Sequence, residues 1–120
     1  VVDGGTAGRL RYKYHLEGEI GGKTGTTNKN SDAWFIGFTP QLVTGIWVGG
    51  EDRDIHFDNM AMGQGATMAL PIWAYYMKKV YRDRALDYNN KASFGLPEGF
   101  DPCPKQDADN TAYQIDEVYE

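Results

Sequence analysis

The stretch G-K-T-G-T-T at residues 22–27 places a lysine between two glycines and follows it with hydroxyl side chains. Because side chains alternate across a strand, Thr24 and Thr26 are predicted to point to the same side of it. Gly25 adds no side chain between them, so a ligand can approach the backbone closely. The pattern favours a strand whose edge binds an anionic ligand, with Lys23 supplying a point charge.

A phosphate-binding P-loop is one interpretation of this stretch, since G-K-T ends the motif G-x-x-x-x-G-K-[ST]. That motif requires a glycine at position 17, which is occupied by Glu17. It also requires a helix immediately downstream, whereas residues 31–48 have the apolar sequence typical of strands. Both observations count against a P-loop.

The second interpretation depends on a series of ordered blocks. They are K-T-G-T-T-N at 23–28, D-A-W-F-I-G-F-T-P at 32–40, G-I-W-V-G-G at 45–50 and A-L-P-I-W at 69–73. K-T-G is the third motif of the penicillin-recognising serine enzymes. Together the blocks closely resemble the C-terminal end of the transpeptidase domain of class A penicillin-binding proteins, the bifunctional enzymes that polymerise and cross-link peptidoglycan. The resemblance covers residues 1–84.

The apolar pattern predicts an α+β fold with a three-strand antiparallel meander at 19–27, 33–38 and 42–48, followed by a helix at 68–84. By resemblance this is a fragment of the serine β-lactamase/transpeptidase-like fold. The last two strands are apolar on both faces, which predicts that the sheet is covered on both sides in a larger protein. The isolated chain is expected to lack the helices that cover one of those faces. Residues 1–10 are predicted to close a helix or to form a loop after one, and residues 11–19 to form a strand or an exposed arm.

The predicted helix has recognisable start signals and one apolar side. Thr67 is a suitable cap, and Pro71 must lie in or near the first turn, where a missing N–H costs least. The predicted apolar stripe consists of Ile72, Trp73, Tyr76, Met77, Val80 and Tyr81.

The resemblance assigns roles to the K-T-G stretch, in which Gly25 is part of the substrate-binding backbone. Lys23 would provide positive potential beside the nucleophile and the substrate carboxylate. The hydroxyls of Thr24 and Thr26 would hold that carboxylate, and the backbone N–H of Thr26 would be one of two oxyanion donors. The reaction would be acyl transfer from a D-Ala-D-Ala stem peptide, which β-lactams imitate.

The nucleophile of that reaction is missing from this sequence. The only serines are Ser31 and Ser93, and neither begins S-x-x-K or S-x-N. Thr26 and Lys29 form a T-x-x-K, but Thr26 already belongs to the third motif. In the family the missing motifs lie upstream of K-T-G, so the chain is predicted to be a piece of a larger protein and inactive alone.

The chain is predicted to consist of a domain part, 1–84, and a C-terminal tail, 85–120, because helical and strand periodicity end near residue 84; the tail contains prolines and is acidic at its end. Residues 101–120 hold six acids and one base, whereas residues 1–100 hold eleven of each. No basic cluster indicates nucleic-acid binding. Cys103 is single, so neither a disulfide framework nor a metal cluster is expected, and no cofactor is implied. The acidic alternation at 52–58 imitates a calcium loop but has Phe57 where glycine is required.

The resemblance also implies partners and a location. The partners would be peptidoglycan stem peptides and β-lactams, together with the upstream part of the same protein. The location would be the extracytoplasmic face of the bacterial membrane, with an anchor in a region absent here. Exposed apolar surface on the isolated chain predicts a strand-mediated oligomer. Two alternatives stay open: a D,D-carboxypeptidase or β-lactamase segment on the same fold, and a non-catalytic binding module.

Overall fold

The structure is a computed structural model, and it describes residues 1–100. Two short helices, a three-stranded sheet and one long helix make up the regular elements, with a 3₁₀ turn at Asn28–Asn30. The strands are β1 (Gly21–Thr26), β2 (Asp32–Phe38) and β3 (Val43–Gly49), and the helices are α1 (Arg9–Tyr12), α2 (Met60–Gly63) and α3 (Ala69–Arg82).

The sheet is antiparallel throughout and has the order β1-β2-β3. Its register places Trp34 of β2 opposite Gly25 of β1 and opposite Trp47 of β3. The predicted meander and C-terminal helix are therefore confirmed, with element ends within two residues of the expected ones. Short polar links between consecutive strands account for this topology, because they permit only antiparallel neighbours.

Helix α3 packs on one face of the sheet through Trp73. The indole of Trp73 packs edge to face on the ring of Phe35, with the ring centroids 5.4 Å apart, and both side chains are fully buried. A side chain at Gly37 would lie only 2.7 Å from the indole nitrogen, so this position must be glycine. The same core contains Leu10, Leu70, Met77 and Val80.

The opposite face of the sheet, here named the open face, carries Trp34, Ile36, Phe38, Val43 and Trp47. Their exposed fractions lie between 39% and 70%. Within the described residues α3 covers only one face, which agrees with the exposed apolar surface expected of the isolated chain; cover on both faces was expected only of the larger protein. Strand β2 accordingly alternates between buried positions on the α3 side and exposed positions on the open face.

Two details of α3 differ from the sequence expectations. The cap is Met68, with no side-chain hydrogen bond, whereas the Thr67 hydroxyl donates to the carbonyl of Gln64 at 3.0 Å. Ile72 and Tyr76 are exposed, because the buried stripe runs through Ala69, Leu70, Trp73, Ala74, Met77 and Val80. Pro71 lies in the first turn, as predicted.

The segment between α1 and β1 is neither a strand nor an exposed arm, so that expectation is wrong. Tyr14 and Leu16 are buried, and Tyr14 packs edge to face on Tyr75 at 5.6 Å. His15 between them is exposed and has a positive φ of 54°. Tyr14 and Leu16 are part of the core cluster that also contains residues of α3, so this irregular segment lies on the core.

The chain after α3 returns to the sheet. The Ser93 hydroxyl and the Phe94 N–H both donate to the carboxylate of Glu19, at 2.9 and 2.8 Å. Phe94 also covers part of Phe38, with ring centroids 5.7 Å apart. Cys103 and the acidic stretch 101–120 lie outside the described residues. Among the helices of residues 1–100, none has the length and apolarity required to cross a membrane.

Candidate functional site

Strand β1 lies at the edge of the three-stranded sheet. The N–H of Thr27 donates to the carbonyl of Asp32 at 3.1 Å. This bond shows that the odd-numbered residues of β1 direct their backbone groups toward β2. In an antiparallel pair, alternate residues direct their backbone groups to the partner and away from it. The backbone N–H and C=O groups of Thr24 and Thr26 therefore point to the free edge.

The side chains of β1 divide between the two faces of the sheet. Thr24 and Thr26 are paired with Phe35 and Ala33, so they lie on the face that α3 covers. The two threonines share one side, as the alternation predicted. Lys23 is on the other side, the open face, but its Nζ donates to the outward carbonyl of Thr24 at 2.8 Å. Its charge consequently lies near the free edge.

Both threonine hydroxyls have partners from other segments. The Thr24 hydroxyl is 3.2 Å from that of Thr6, and the Thr26 oxygen accepts from the N–H of Gly65 at 3.0 Å. A Cβ at Gly65 would overlap the carbonyl oxygen of Trp34 and lie 2.8 Å from that of Gly25. The link between α2 and α3 thus rests directly on the backbone of β1, a contact that no sequence motif indicated.

A hydrogen-bond network holds the chain just beyond Thr26. One carboxylate oxygen of Asp32 accepts from the Trp47 indole N–H at 2.9 Å. The other accepts from the hydroxyls of Thr27 and Ser31, at 3.1 and 3.2 Å. These bonds, that of Trp47 first, lower the pKa of Asp32 below its usual value. Sequence reasoning missed Asp32 because its partner Trp47 comes from β3, 15 residues further along the chain.

Neither serine resembles an activated nucleophile. The Ser31 hydroxyl is buried and bonded to Asp32, which is a weak base because its pKa is lowered. The Ser93 hydroxyl donates to Glu19. Within residues 1–100, no hydrogen bond joins either hydroxyl to a lysine or histidine.

An open cleft of about 540 Å³ begins where β1 ends. It is here named the cationic cleft, and it lies between the turn after β1 and the loop after β3. Asp54 and His56, two members of the calcium-like alternation, lie on its wall, but residues 1–100 contain no group of side chains suited to a metal. The cationic cleft is lined by Thr26, Thr27, Asn28, Lys29, Ser31, Arg53, Asp54 and His56.

Comparisons with known proteins match this architecture. Penicillin-binding protein 1A of Aquifex aeolicus is 46% identical over 82 residues, which are 68% of this chain and 10% of that protein. Penicillin-binding protein 1A of Neisseria meningitidis serogroup B is 45% identical over 85 residues, again 68% of this chain and 9% of that protein. No family model matches the chain.

A solved structure shows the same fold. The crystal structure of penicillin-binding protein 1A from Haemophilus influenzae aligns with a TM-score of 0.63 and 35% identity. The alignment covers 78% of this chain and 13% of that one.

The sheet, its K-T-G edge strand and the C-terminal helix define part of a transpeptidase-type penicillin-recognising fold. The chain belongs to the class A penicillin-binding proteins, among which it is similar to proteins named penicillin-binding protein 1A. It spans about a tenth of the length of the curated relatives it matches.

Proposed function

We propose that this chain is the part of a peptidoglycan D,D-transpeptidase that binds the terminal carboxylate of a stem peptide and contributes one oxyanion donor. The observation that carries the proposal is the free edge of β1, where the backbone groups of Thr24 and Thr26 point outward beside the Lys23 ammonium. The serine nucleophile comes from another part of the same protein.

The chemistry requires these groups at one edge. A serine oxygen attacks the penultimate D-Ala carbonyl, and the negative charge that develops on the carbonyl oxygen is stabilised by N–H donors, of which Thr26 supplies one. D-Ala then leaves with a proton, and the amine of a neighbouring stem peptide accepts the acyl group and frees the serine. β-Lactams react at the same serine, and the assembled enzyme works on the outer face of the cytoplasmic membrane.

The bonds already made by the threonines are compatible with this role. The Thr26 oxygen accepts from Gly65, which leaves its own O–H able to donate to a carboxylate. Lys23 is exposed, and its only side-chain bond within residues 1–100 is to Thr24, which a ligand oxygen can replace. A lysine here acts as a point charge and adds a charge-assisted contact.

Labelling with a fluorescent penicillin tests the proposal. We expect no label on the 120-residue chain, and label on the longer protein that also carries an upstream S-x-x-K. In the longer protein, Lys23→Ala should slow acylation roughly tenfold to a hundredfold, since a hydrogen bond from a charged group contributes about 1.5–3 kcal/mol. Lys91→Ala, at another exposed lysine, is the matched control and should acylate normally.

Two results would overturn the proposal. The first is label on Ser31 or Ser93 of the chain alone, identified by mass spectrometry. The second is undiminished acylation of the Lys23→Ala protein. A labelled protein that hydrolyses stem peptides but never transfers them would favour a carboxypeptidase or β-lactamase on the same fold.

A further inference from the structure

We propose that the cationic cleft is a second anion subsite, which binds a carboxylate on an internal residue of the substrate peptide. This inference rests on the proposed function, in which the terminal carboxylate lies at the free edge of β1. Thr26 belongs to that edge and also lines the cationic cleft, so the two sites are continuous. One extended peptide can therefore occupy both.

The charges of the cationic cleft favour an anion. Lys29 and Arg53 line it with His56, against one carboxylate, that of Asp54. Within residues 1–100 the single ion pair joins Arg11 to Asp3, and neither Lys29 nor Arg53 makes a side-chain hydrogen bond. As far as the described part of the chain is concerned, both cations are therefore available to a ligand.

Besides Asp54, Asp32 is a second carboxylate close to Arg53. Its two oxygens already accept hydrogen bonds from Trp47, Thr27 and Ser31. Those three bonds leave Asp32 with little capacity for a further donor. Arg53 is near enough to act on Asp32 through its charge, but no bond joins them.

The backbone at Lys29 is an independent observation. Lys29 has φ 61° and ψ 17°, and Asn30 follows it with φ 55°. Asparagine tolerates this left-handed region, whereas a lysine adopts it rarely and glycine adopts it freely. Strained residues of this kind concentrate at ligand-binding sites. A cation held at the wall of the cationic cleft explains why the position is lysine.

The residue types indicate a carboxylate on a peptide. A guanidinium presents a fork of N–H donors that matches a carboxylate, and an ammonium adds a point charge beside it. At about 540 Å³ the cationic cleft also has room for the peptide segment that carries the group. The internal residue must therefore have a free carboxylate in its side chain, and its primary amide should bind more weakly.

A pair of matched peptides tests the subsite. Both end in D-Ala-D-Ala; one has a free internal carboxylate and the other has the same group as an amide. We expect the longer protein to use the free form with a higher kcat/KM, and Arg53→Gln to reduce that preference about tenfold or more. Lys91→Gln is the control and should keep the preference.

A binding titration of both peptides against the 120-residue chain, followed by NMR, gives the same comparison without turnover. Here Arg53→Gln should remove the difference in affinity between the free and amidated forms. Lys29→Gly should weaken binding of the free form and at the same time raise the Tm, because glycine relieves the positive φ. A general loss of structure would instead lower both the affinity for the free form and the Tm.

Specific outcomes would overturn the inference. One is equal affinity of the wild-type chain for the two peptides. Another is Arg53→Gln weakening the two peptides equally, which would place Arg53 in the terminal-carboxylate site. If the longer protein is not acylated by penicillin but the chain still prefers the free carboxylate, the proposed function fails and the subsite stands.

Discussion

Gly65→Ala tests whether the link before α3 sets the position of the K-T-G strand. The added Cβ would overlap the carbonyl oxygen of Trp34 and lie 2.8 Å from that of Gly25. Both atoms are backbone, so neither can rotate away, and such overpacking costs about 1–3 kcal/mol. If the link moves, the bond from Gly65 to Thr26 is lost, at about 0.5–1.5 kcal/mol. We expect a total destabilisation of about 2–4 kcal/mol.

Urea unfolding of the chain, followed by tryptophan fluorescence, measures this difference from the midpoint at constant slope. Gly4→Ala is the matched control, since a Cβ there has nothing within 4 Å. It should change stability by less than about 0.5 kcal/mol. If Gly65→Ala were equally neutral, the close approach of the link to β1 would be wrong, and with it the reason for a glycine here.

Two further predictions concern Asp32, at the start of β2, and the open face of the sheet. Hydrogen bonds from Trp47 first, and then from two hydroxyls, lower the pKa of Asp32 in the folded chain below 3.8. The carboxylate should therefore contribute its full stabilisation above pH 3.8 and lose it as the pH falls through the lower folded pKa. Asp32→Asn should flatten this acid dependence in urea titrations, and an unchanged profile would contradict it. Ile36→Lys should reduce self-association of the chain in sedimentation velocity, since Ile36 is 46% exposed on the open face. A wild-type chain that is monomeric at high concentration would refute the second prediction.

Much of the fold could be predicted from local sequence patterns. Short strand-like runs joined by short polar links predicted β1, β2 and β3 to within two residues, because neighbouring antiparallel strands need only local signals. The helix was equally clear from its 3.6-residue period. The cap of the helix was not predicted correctly, because the Thr67 hydroxyl donates to the carbonyl of Gln64 instead of capping the helix.

The candidate site was only partly predictable. Thr24 and Thr26 share a side by strand geometry alone, so the sequence sufficed for that statement. The side of the sheet on which they lie depends on where α3 packs, and their outward N–H groups depend on the register with β2. Arg53 and Lys29 meet at one cleft although 24 positions separate them, and no spacing rule connects them.

By itself the sequence determined the class of fold, the K-T-G strand and the absence of an S-x-x-K serine, because each is written in contiguous residues. Only the tertiary structure decided which face α3 covers, how Asp32 joins Trp47 to Thr27, and that Gly65 rests on β1. The physical reason is that these contacts join residues distant in sequence. Their energies depend on packing and on hydrogen-bond geometry, and neither exists until the sheet and the helix have come together.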